Sequence, residues 1–67
     1  MINIALFGLG RIGLMHGKNL MRNKDFKLKY VYDLNKKLTI KASKILKSNK
    51  ITNPSVAFKD KTLDAYL

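Results

Sequence analysis

The feature that most constrains this chain is a glycine-rich segment, GLGRIG at residues 8–13, which follows an apolar run at residues 2–7. The apolar run predicts a buried strand, and the residues after the last glycine predict a helix. Asp33 lies 20 residues beyond Gly13, at the end of a second apolar run. A strand, a glycine-rich turn and a helix, followed at about this distance by an acid, form the pattern of dinucleotide-binding folds.

Each residue of the turn has a predicted role. Gly8 lets the chain leave the strand in a turn where a Cβ would clash. Gly10 leaves room for a pyrophosphate against the backbone, and Gly13 lets the first helical turn lie close to the strand. The helix start also leaves backbone N–H groups that can meet an anion at the positive end of the helix dipole. These are the amides of Gly10, Arg11, Ile12 and Gly13.

The acid at the end of the second strand is predicted to bind a ribose. Asp33 would accept hydrogen bonds from the two ribose hydroxyls, and a 2′-phosphate there would face its carboxylate. The sequence therefore favours NAD over NADP, although Lys36 and Lys37 are near enough to weaken that preference. Two alternatives stay open: Asp33 caps a helix or closes a turn, with Asn35 competing for that role, or the glycine segment is an ordinary connection.

The same residues resemble the start of the Gfo/Idh/MocA oxidoreductases, which include inositol 2-dehydrogenase and glucose-fructose oxidoreductase. The resemblance rests on the Arg11-Ile12 pair, on His16 and Leu20, and on the run VYDLN at residues 31–35. Weaker matches continue through Ala42, the run VAFKD at residues 56–60, and Leu63.

The resemblance implies an NAD-dependent oxidoreductase that acts on a CH–OH group of a sugar or cyclitol. It also implies a Glu-Lys-Pro segment and, in a second domain, a catalytic histidine, and neither is present in this chain. We therefore expect residues 1–67 to form a partial NAD(P)-binding Rossmann domain without its substrate domain. No residue of the chain is a catalytic candidate, and we expect no turnover by the chain alone.

The predicted fold is α/β, the first βαβαβ half of a Rossmann doubly wound parallel sheet with strand order 3-2-1. The predicted elements are strands at 2–7, 26–32 and 56–58 and helices at 11–22 and 36–48. A third helix, capped by Asp60 or Thr62 and containing Leu63, Tyr66 and Leu67, would be cut short. Strand one would then be an exposed apolar edge, which predicts marginal stability or pairing with another chain, including a homo-oligomer.

Helical periodicity places Ile12, Gly13, His16, Gly17 and Leu20 on the inner face of the first helix. Gly13 and Gly17 would let this helix lie very close to the sheet. His16 is predicted to be a neutral core residue, since no second histidine, cysteine or paired acid is near it. We predict no metal site and no catalytic dyad.

Charge and composition leave two alternatives to dinucleotide binding. The chain has 14 Lys+Arg against 4 Asp+Glu, and this excess of positive charge allows a small basic nucleic-acid-binding protein. The second alternative is a truncated gene product without a role. Nucleic-acid binding needs clustered basic residues with aromatic stacking partners, whereas these lysines are spread along the chain. The absence of cysteine fits a reducing cytoplasm, and no stretch approaches the ~18 apolar residues of a membrane span. We expect a cytoplasmic protein without a membrane partner.

Overall fold

Strands and helices alternate along the chain in the computed structural model, which describes residues 1–67. The elements are β1 (Ile2–Phe7), α1 (Arg11–Met21), β2 (Phe26–Tyr32), α2 (Lys36–Leu46), β3 (Asn49–Lys50), α3 (Ser55–Phe58) and β4 (Ala65–Tyr66). All four strands are parallel and form one sheet in the order β3-β2-β1-β4. The predicted α/β fold and the strand order 3-2-1 are confirmed, and a fourth strand lies beyond β1. None of the helices has the length and apolar content needed to cross a bilayer.

The two long helices begin and end as their sequences predict, to within two residues. The side chain of Asn35 caps α2, because its Oδ1 accepts hydrogen bonds from the amides of Lys37 at 3.0 Å and Leu38 at 3.4 Å. Lys47 then adopts a left-handed conformation with φ 50° and ends the helix. In contrast, the residue that precedes α1 is Gly10, which has no side chain to cap the helix. The amides at this helix start are therefore left for another partner.

Apolar side chains cover both faces of the sheet, as expected for parallel strands. Along β1, Ala5 and Leu6 point to opposite faces because side chains alternate along a strand. The face under α1 and α2 holds the larger cluster of buried residues, Leu6, Leu9, Val31, Ala42 and Leu46. The other face is covered by the short helix α3 and holds Ala5, Ile51 and Ala57.

The predicted strand at residues 56–58 is wrong, because these residues lie in α3. The Oδ1 of Asn53 accepts a hydrogen bond from the Ser55 amide at 3.0 Å, and Pro54 follows Asn53 directly, so the chain turns into a helix here. An apolar run of three residues fits a buried strand or a buried helical turn equally well. The third strand is instead Asn49–Lys50, whose residues are exposed; the buried apolar residue is Ile51, just after it.

The predicted helix at the end of the chain is also wrong, because Ala65–Tyr66 forms β4 against β1. The carboxylate of Asp64 accepts a hydrogen bond from the Asn3 amide at 2.7 Å, and the Asn3 side chain donates to the Thr62 carbonyl at 2.9 Å. The Leu67 amide donates to the Ala5 carbonyl at 2.9 Å. β1 is therefore a central strand and not the exposed edge that we expected, and β4 is the edge.

The buried face of α1 differs from the predicted one. Ile12 is 67% exposed and His16 is also exposed, so the prediction of a core histidine is wrong. Gly17 is the buried residue of this helix, and Leu14 packs against the larger core cluster. The helix is thus turned so that Leu14, and not Ile12, flanks the line of glycines that faces the sheet.

A polar cluster around Asp60 attaches the segment between α3 and β4 to β2. The carboxylate of Asp60 pairs with the Lys29 ammonium and accepts hydrogen bonds from the Tyr30 hydroxyl at 2.6 Å and from Thr62. The hydrogen bond from Lys29, followed by those from Thr62 and Tyr30, holds the pKa of Asp60 far below its ordinary value. The same carboxylate raises the pKa of Tyr30, chiefly through the hydrogen bond between them.

We expect Asp60→Asn to lower the Tm by about 5 °C at pH 7 and by less at acid pH. A group with a depressed pKa in the folded state stabilises the fold above its unfolded pKa, and this stabilisation is lost as pH falls through the folded pKa. Thermal unfolding of the wild type and the variant, followed by circular dichroism between pH 7 and pH ~2, measures the difference. Asp25→Asn removes the same charge without such a cluster and is the control. A difference that does not change with pH would contradict the prediction.

Candidate functional site

The turn between β1 and α1 depends on Gly8 for its conformation. Gly8 has φ +86°, a left-handed value that residues other than glycine rarely adopt. A Cβ on Gly8 would meet no atom within 4 Å, so the predicted clash is not the reason for glycine at this position. The Gly8 amide donates to the Tyr32 carbonyl at 2.9 Å and holds the turn at the carboxyl end of β2.

The next two glycines of the turn have different surroundings. A Cβ on Gly13 would overlap the carbonyl oxygen of Gly8 and lie 2.9 Å from its carbonyl carbon. The first turn of α1 therefore lies directly against the turn that precedes it, as predicted. Gly10 has φ −67°, and a Cβ there would meet no atom within 4 Å. The space beside Gly10 is open, so a ligand can approach its backbone.

Four consecutive amides at the start of α1 have no acceptor within the protein. The Leu9 amide donates to Asp33, and the Leu14 amide makes the first helical hydrogen bond, to Gly10. The four amides between these two, those of Gly10, Arg11, Ile12 and Gly13, donate to no backbone or side-chain acceptor. No acidic residue lies in the first helical turn. Free amides and the helix dipole together favour an anion here.

Asp33 lies at the carboxyl end of β2, directly beside the glycine turn. Its Oδ2 accepts a hydrogen bond from the Leu9 amide at 2.7 Å, and its Oδ1 accepts one from the Asn35 amide at 2.8 Å. These bonds, first that from Asn35 and then that from Leu9, hold the pKa of Asp33 below its ordinary value. An ionised carboxylate has about four acceptor positions, so about two remain for a ligand.

Asp33 therefore also closes a turn, as the alternative predicted, because its Oδ1 accepts the hydrogen bond from the Asn35 amide. This role leaves acceptor positions of the carboxylate free. Asn35, and not Asp33, caps α2. The backbone of Asp33 is fixed by Thr39, whose Oγ1 accepts from the Asp33 amide at 3.0 Å and donates to the Asp33 carbonyl at 3.1 Å. The carboxylate is thus held in position at the rim of the sheet.

A cavity of ≈ 190 Å³ opens beside Asp33, between the end of β2, the start of α2 and the end of β3. Its apolar walls include Leu34, Ile40 and Ile51, and its basic residues are Lys36 and Lys50. Sites that enclose a whole small ligand usually measure ~300–1,000 Å³. This cavity therefore suits one end of a dinucleotide, such as an adenosine, more than a complete one.

Two parts of this site are not predicted from the sequence. The hydrogen bond from Leu9 to Asp33 joins residues 24 positions apart, and motif spacing indicates only that they are near each other. Lys50 and Ile51 reach the cavity because β3 pairs with β2, with Lys50 opposite Val31. A two-residue polar strand has no periodic pattern that could have placed them.

The residues present fit a dinucleotide on two independent observations. The amides at the start of α1 need an acceptor, and the open space beside Gly10 is the space that a Cβ would fill. Several aromatic residues pack against one another near the carboxyl end of β1. Phe7 packs against Tyr32, Phe58 and Tyr66, with ring centroids 5.8–6.0 Å apart.

The structure is similar to several oxidoreductases of known structure. A myo-inositol dehydrogenase from Corynebacterium glutamicum is 27% identical, with a TM-score of 0.86, over 98% of this chain and 20% of that one. A putative myo-inositol dehydrogenase from Sinorhizobium meliloti is 24% identical, with a TM-score of 0.91 and the same coverage. GenD2 from gentamicin A biosynthesis, solved in complex with NAD, is 21% identical, with a TM-score of 0.86, over 92% of this chain and 18% of that one.

This chain spans about a fifth of the length of these structures. No protein-family profile matches it, and no curated protein matches it. The likeness confirms the Rossmann-type fold and the resemblance to inositol dehydrogenases and related NAD(P)-dependent oxidoreductases that residues 8–35 indicate.

Proposed function

We propose that this chain binds NAD, as the cofactor-binding part of an NAD-dependent oxidoreductase. Residues 1–67 would be part of an NAD(P)-binding Rossmann domain, with the substrate domain outside them. The observation that carries the proposal is the 2.7 Å hydrogen bond from the Leu9 amide to Asp33. It joins the glycine turn to the acid, so that free amides and an ionised carboxylate lie side by side at the rim of the sheet.

In this proposal each half of the site binds one chemical group of the cofactor. The pyrophosphate accepts hydrogen bonds from the amides of residues 10–13 at the positive end of α1. The adenosine ribose donates its hydroxyl protons to the remaining acceptor positions of Asp33. Adenine enters the cavity beside Asp33, where Ile40 and Ile51 provide apolar contacts. The cofactor would thus lie across the carboxyl ends of the strands, as ligands of open α/β sheets do.

The chemistry of the proposed parent enzyme belongs to the cofactor. When bound, the nicotinamide exchanges a hydride with a carbon that bears a hydroxyl, which the family resemblance places on a sugar or cyclitol. The residues of this chain would bind and orient the cofactor, and none of them is proposed to move a proton. The 67-residue chain is therefore expected to bind NAD without turning over a substrate. We place NAD binding by this chain in the cytoplasm, a location with which the absence of cysteine is consistent.

We expect the chain to bind NAD and the variant Asp33→Asn to bind it about tenfold more weakly, because an ionic acceptor is lost. Isothermal titration calorimetry measures the affinity, and amide chemical shifts report whether the amides of residues 10–13 respond to NAD. Asp25→Asn, an exposed substitution with the same change in charge, is the matched control. The proposal fails if NAD does not bind, or if Asp33→Asn and Asp25→Asn bind it equally well.

A further inference from the structure

The two long helices carry basic residues and no acidic ones. No Asp or Glu occurs in α1 or α2. The four acidic residues of the chain all lie outside these helices, at Asp25, Asp33, Asp60 and Asp64. The one salt bridge of the structure joins Lys29 to Asp60. The positive charges of α1 and α2 are therefore not neutralised by ion pairs within the protein.

The basic residues of α1 line a groove on the side of the helix that faces away from the sheet. Gly13 and Gly17 face the protein interior, and at 100° per residue the cations lie on the other side of the helix. These exposed cations are Arg11, Lys18 and Arg22. A groove of ≈ 350 Å³ runs between them, lined also by Leu14, Met15 and Asn19. At ~1.5 Å of rise per residue, the row of cations is about 16 Å long.

The lysines of α2 extend the same surface. The buried side of α2 holds Thr39, Ala42 and Leu46, and the exposed lysines on its opposite side are Lys37, Lys41 and Lys44. Both helices cover the same face of the sheet, since Leu14 of α1 and Leu46 of α2 pack in one core cluster. Axes of packed helices lie ~8–10 Å apart, so the two rows of cations form one surface. We call it the cationic face: Arg11, Lys18, Arg22, Lys37, Lys41 and Lys44.

The composition of the two helices favours one class of anionic partner. Neither α1 nor α2 contains Phe, Tyr or Trp. Single-stranded nucleic acids bind by stacking bases on such rings, and interfaces with proteins or with membrane surfaces are anchored by aromatic and other large apolar residues. The exposed apolar side chain of the groove is that of Met15, without an aromatic neighbour on the helix. A surface of cations alone suits the phosphate backbone of a duplex, whose bases stay stacked on one another.

We propose that the cationic face binds the phosphate backbone of a nucleic acid duplex without reading its sequence. A duplex carries one negative charge per ~1.7 Å of its axis, so 16 Å of it presents about nine charges to these six cations. The lysines that are spread along the sequence form this surface because α1 and α2 pack side by side. The inference does not rest on the proposed function. The amide of Arg11 lies at the start of α1, where we propose that NAD binds, whereas its guanidinium lines the groove.

Fluorescence anisotropy of a labelled DNA duplex of about 20 base pairs, titrated with the full-length chain at several salt concentrations, tests the proposal. We expect the wild type to bind it with a Kd that rises with salt. Lys18→Gln/Lys41→Gln/Lys44→Gln should bind at least ~10-fold more weakly, from up to about fivefold for each exposed contact. The slope of log Kd against log salt should also fall by about 2–3, close to one for each lysine removed.

The matched control is Lys27→Gln/Lys59→Gln/Lys61→Gln. It removes the same three charges from exposed positions outside α1 and α2, and we expect it to weaken binding by about twofold at most. A circular dichroism spectrum of each variant shows that it is folded. Vesicles of anionic phospholipid and poly-glutamate are titrated in parallel with the duplex.

A loss of affinity in the helix variant that exceeds the loss in the control by about fivefold or more supports the proposal. A smaller difference means that net charge alone attracts the duplex, and it overturns the proposal, as does a wild type that binds no duplex. Tighter binding of the vesicles or of poly-glutamate than of the duplex assigns the cationic face to a membrane or to an acidic protein instead. Displacement of the duplex by excess NAD places its phosphates on the amides of residues 10–13 and also overturns the proposal.

Discussion

Gly13→Ala is expected to destabilise the protein severely. The new Cβ would overlap the carbonyl oxygen of Gly8 and lie 2.9 Å from its carbonyl carbon, and both atoms belong to the backbone. The cost should reach about 4 kcal/mol or more, the range of severe single substitutions, against a total stability of roughly 5–15 kcal/mol for a typical domain. The better helix propensity of alanine returns only about 1 kcal/mol.

The turn cannot easily move aside to accept the Cβ, because its first two residues are held by hydrogen bonds to the end of β2. The Gly8 amide is bonded to Tyr32 at 2.9 Å and the Leu9 amide to Asp33 at 2.7 Å, and Gly8 has a positive φ. Gly17→Ala differs, since its Cβ would meet the flexible end of the Leu46 side chain at 2.6 Å. We therefore expect a smaller loss of stability at Gly17 than at Gly13.

Urea unfolding followed by far-UV circular dichroism measures these effects. Gly10→Ala is the matched control, because Gly10 has an ordinary φ of −67° and open space where the Cβ would lie. We expect Gly10→Ala to unfold cooperatively with a midpoint near that of the wild type. A Gly13→Ala protein whose midpoint equals that of Gly10→Ala would refute the close packing of α1 against the turn.

Gly10→Val is expected to abolish NAD binding, by about 100-fold or more, while the fold stays intact. The side chain would occupy the open space beside the backbone where we propose that the pyrophosphate lies. Its Cβ would meet no atom of the protein within 4 Å, and the substitution would remove no side-chain capping hydrogen bond, since Gly10 makes none. Losses of this size are expected when a contact of the cofactor with the backbone is blocked completely, since a hundredfold is about 2.7 kcal/mol.

Calorimetric titration of NAD, together with a circular dichroism spectrum of each protein, tests this prediction. Asn19→Val introduces the same side chain on the exposed outer face of α1 and should leave NAD binding unchanged. Gly10→Val with an affinity within about threefold of the wild type would exclude the proposed position of the pyrophosphate. A folded Gly10→Val protein without NAD binding would separate the function of Gly10 from the structural role of Gly13.

The first half of the chain was predictable because its signals are local. The apolar run at residues 2–7 is long enough to indicate a strand, and the glycines and Asp33 stand at spacings that a strand–turn–helix unit requires. Asn35 is a strong capping residue and indicated the start of α2 correctly. Apart from the 20-residue spacing between Gly13 and Asp33, each of these features depends on neighbours within a few residues along the chain.

The second half was not predictable in the same way. β3 and β4 have two residues each, too few for any alternation of polar and apolar side chains to appear. Val56-Ala57-Phe58 is short enough to suit a strand or a helix, and the Asn53-Pro54 turn decides for the helix. The prediction of a core His16 is wrong because a helical period does not by itself show where the centre of the buried face lies.

The sequence by itself determined the strand–turn–helix unit, the three glycines of residues 8–13 and the acid at the end of β2. The conformation of the turn and the spacing of these residues can be read along the chain. Only the tertiary structure decided that β4 covers β1, that the Leu9 amide holds Asp33, and that Lys36 and Lys50 share one cavity. These pairings join distant parts of the chain through the order of strands in the sheet. The sequence predicted the order 3-2-1, but the residues that form β3 and the pairing of β4 with β1 depend on packing over the whole molecule, which no local pattern records.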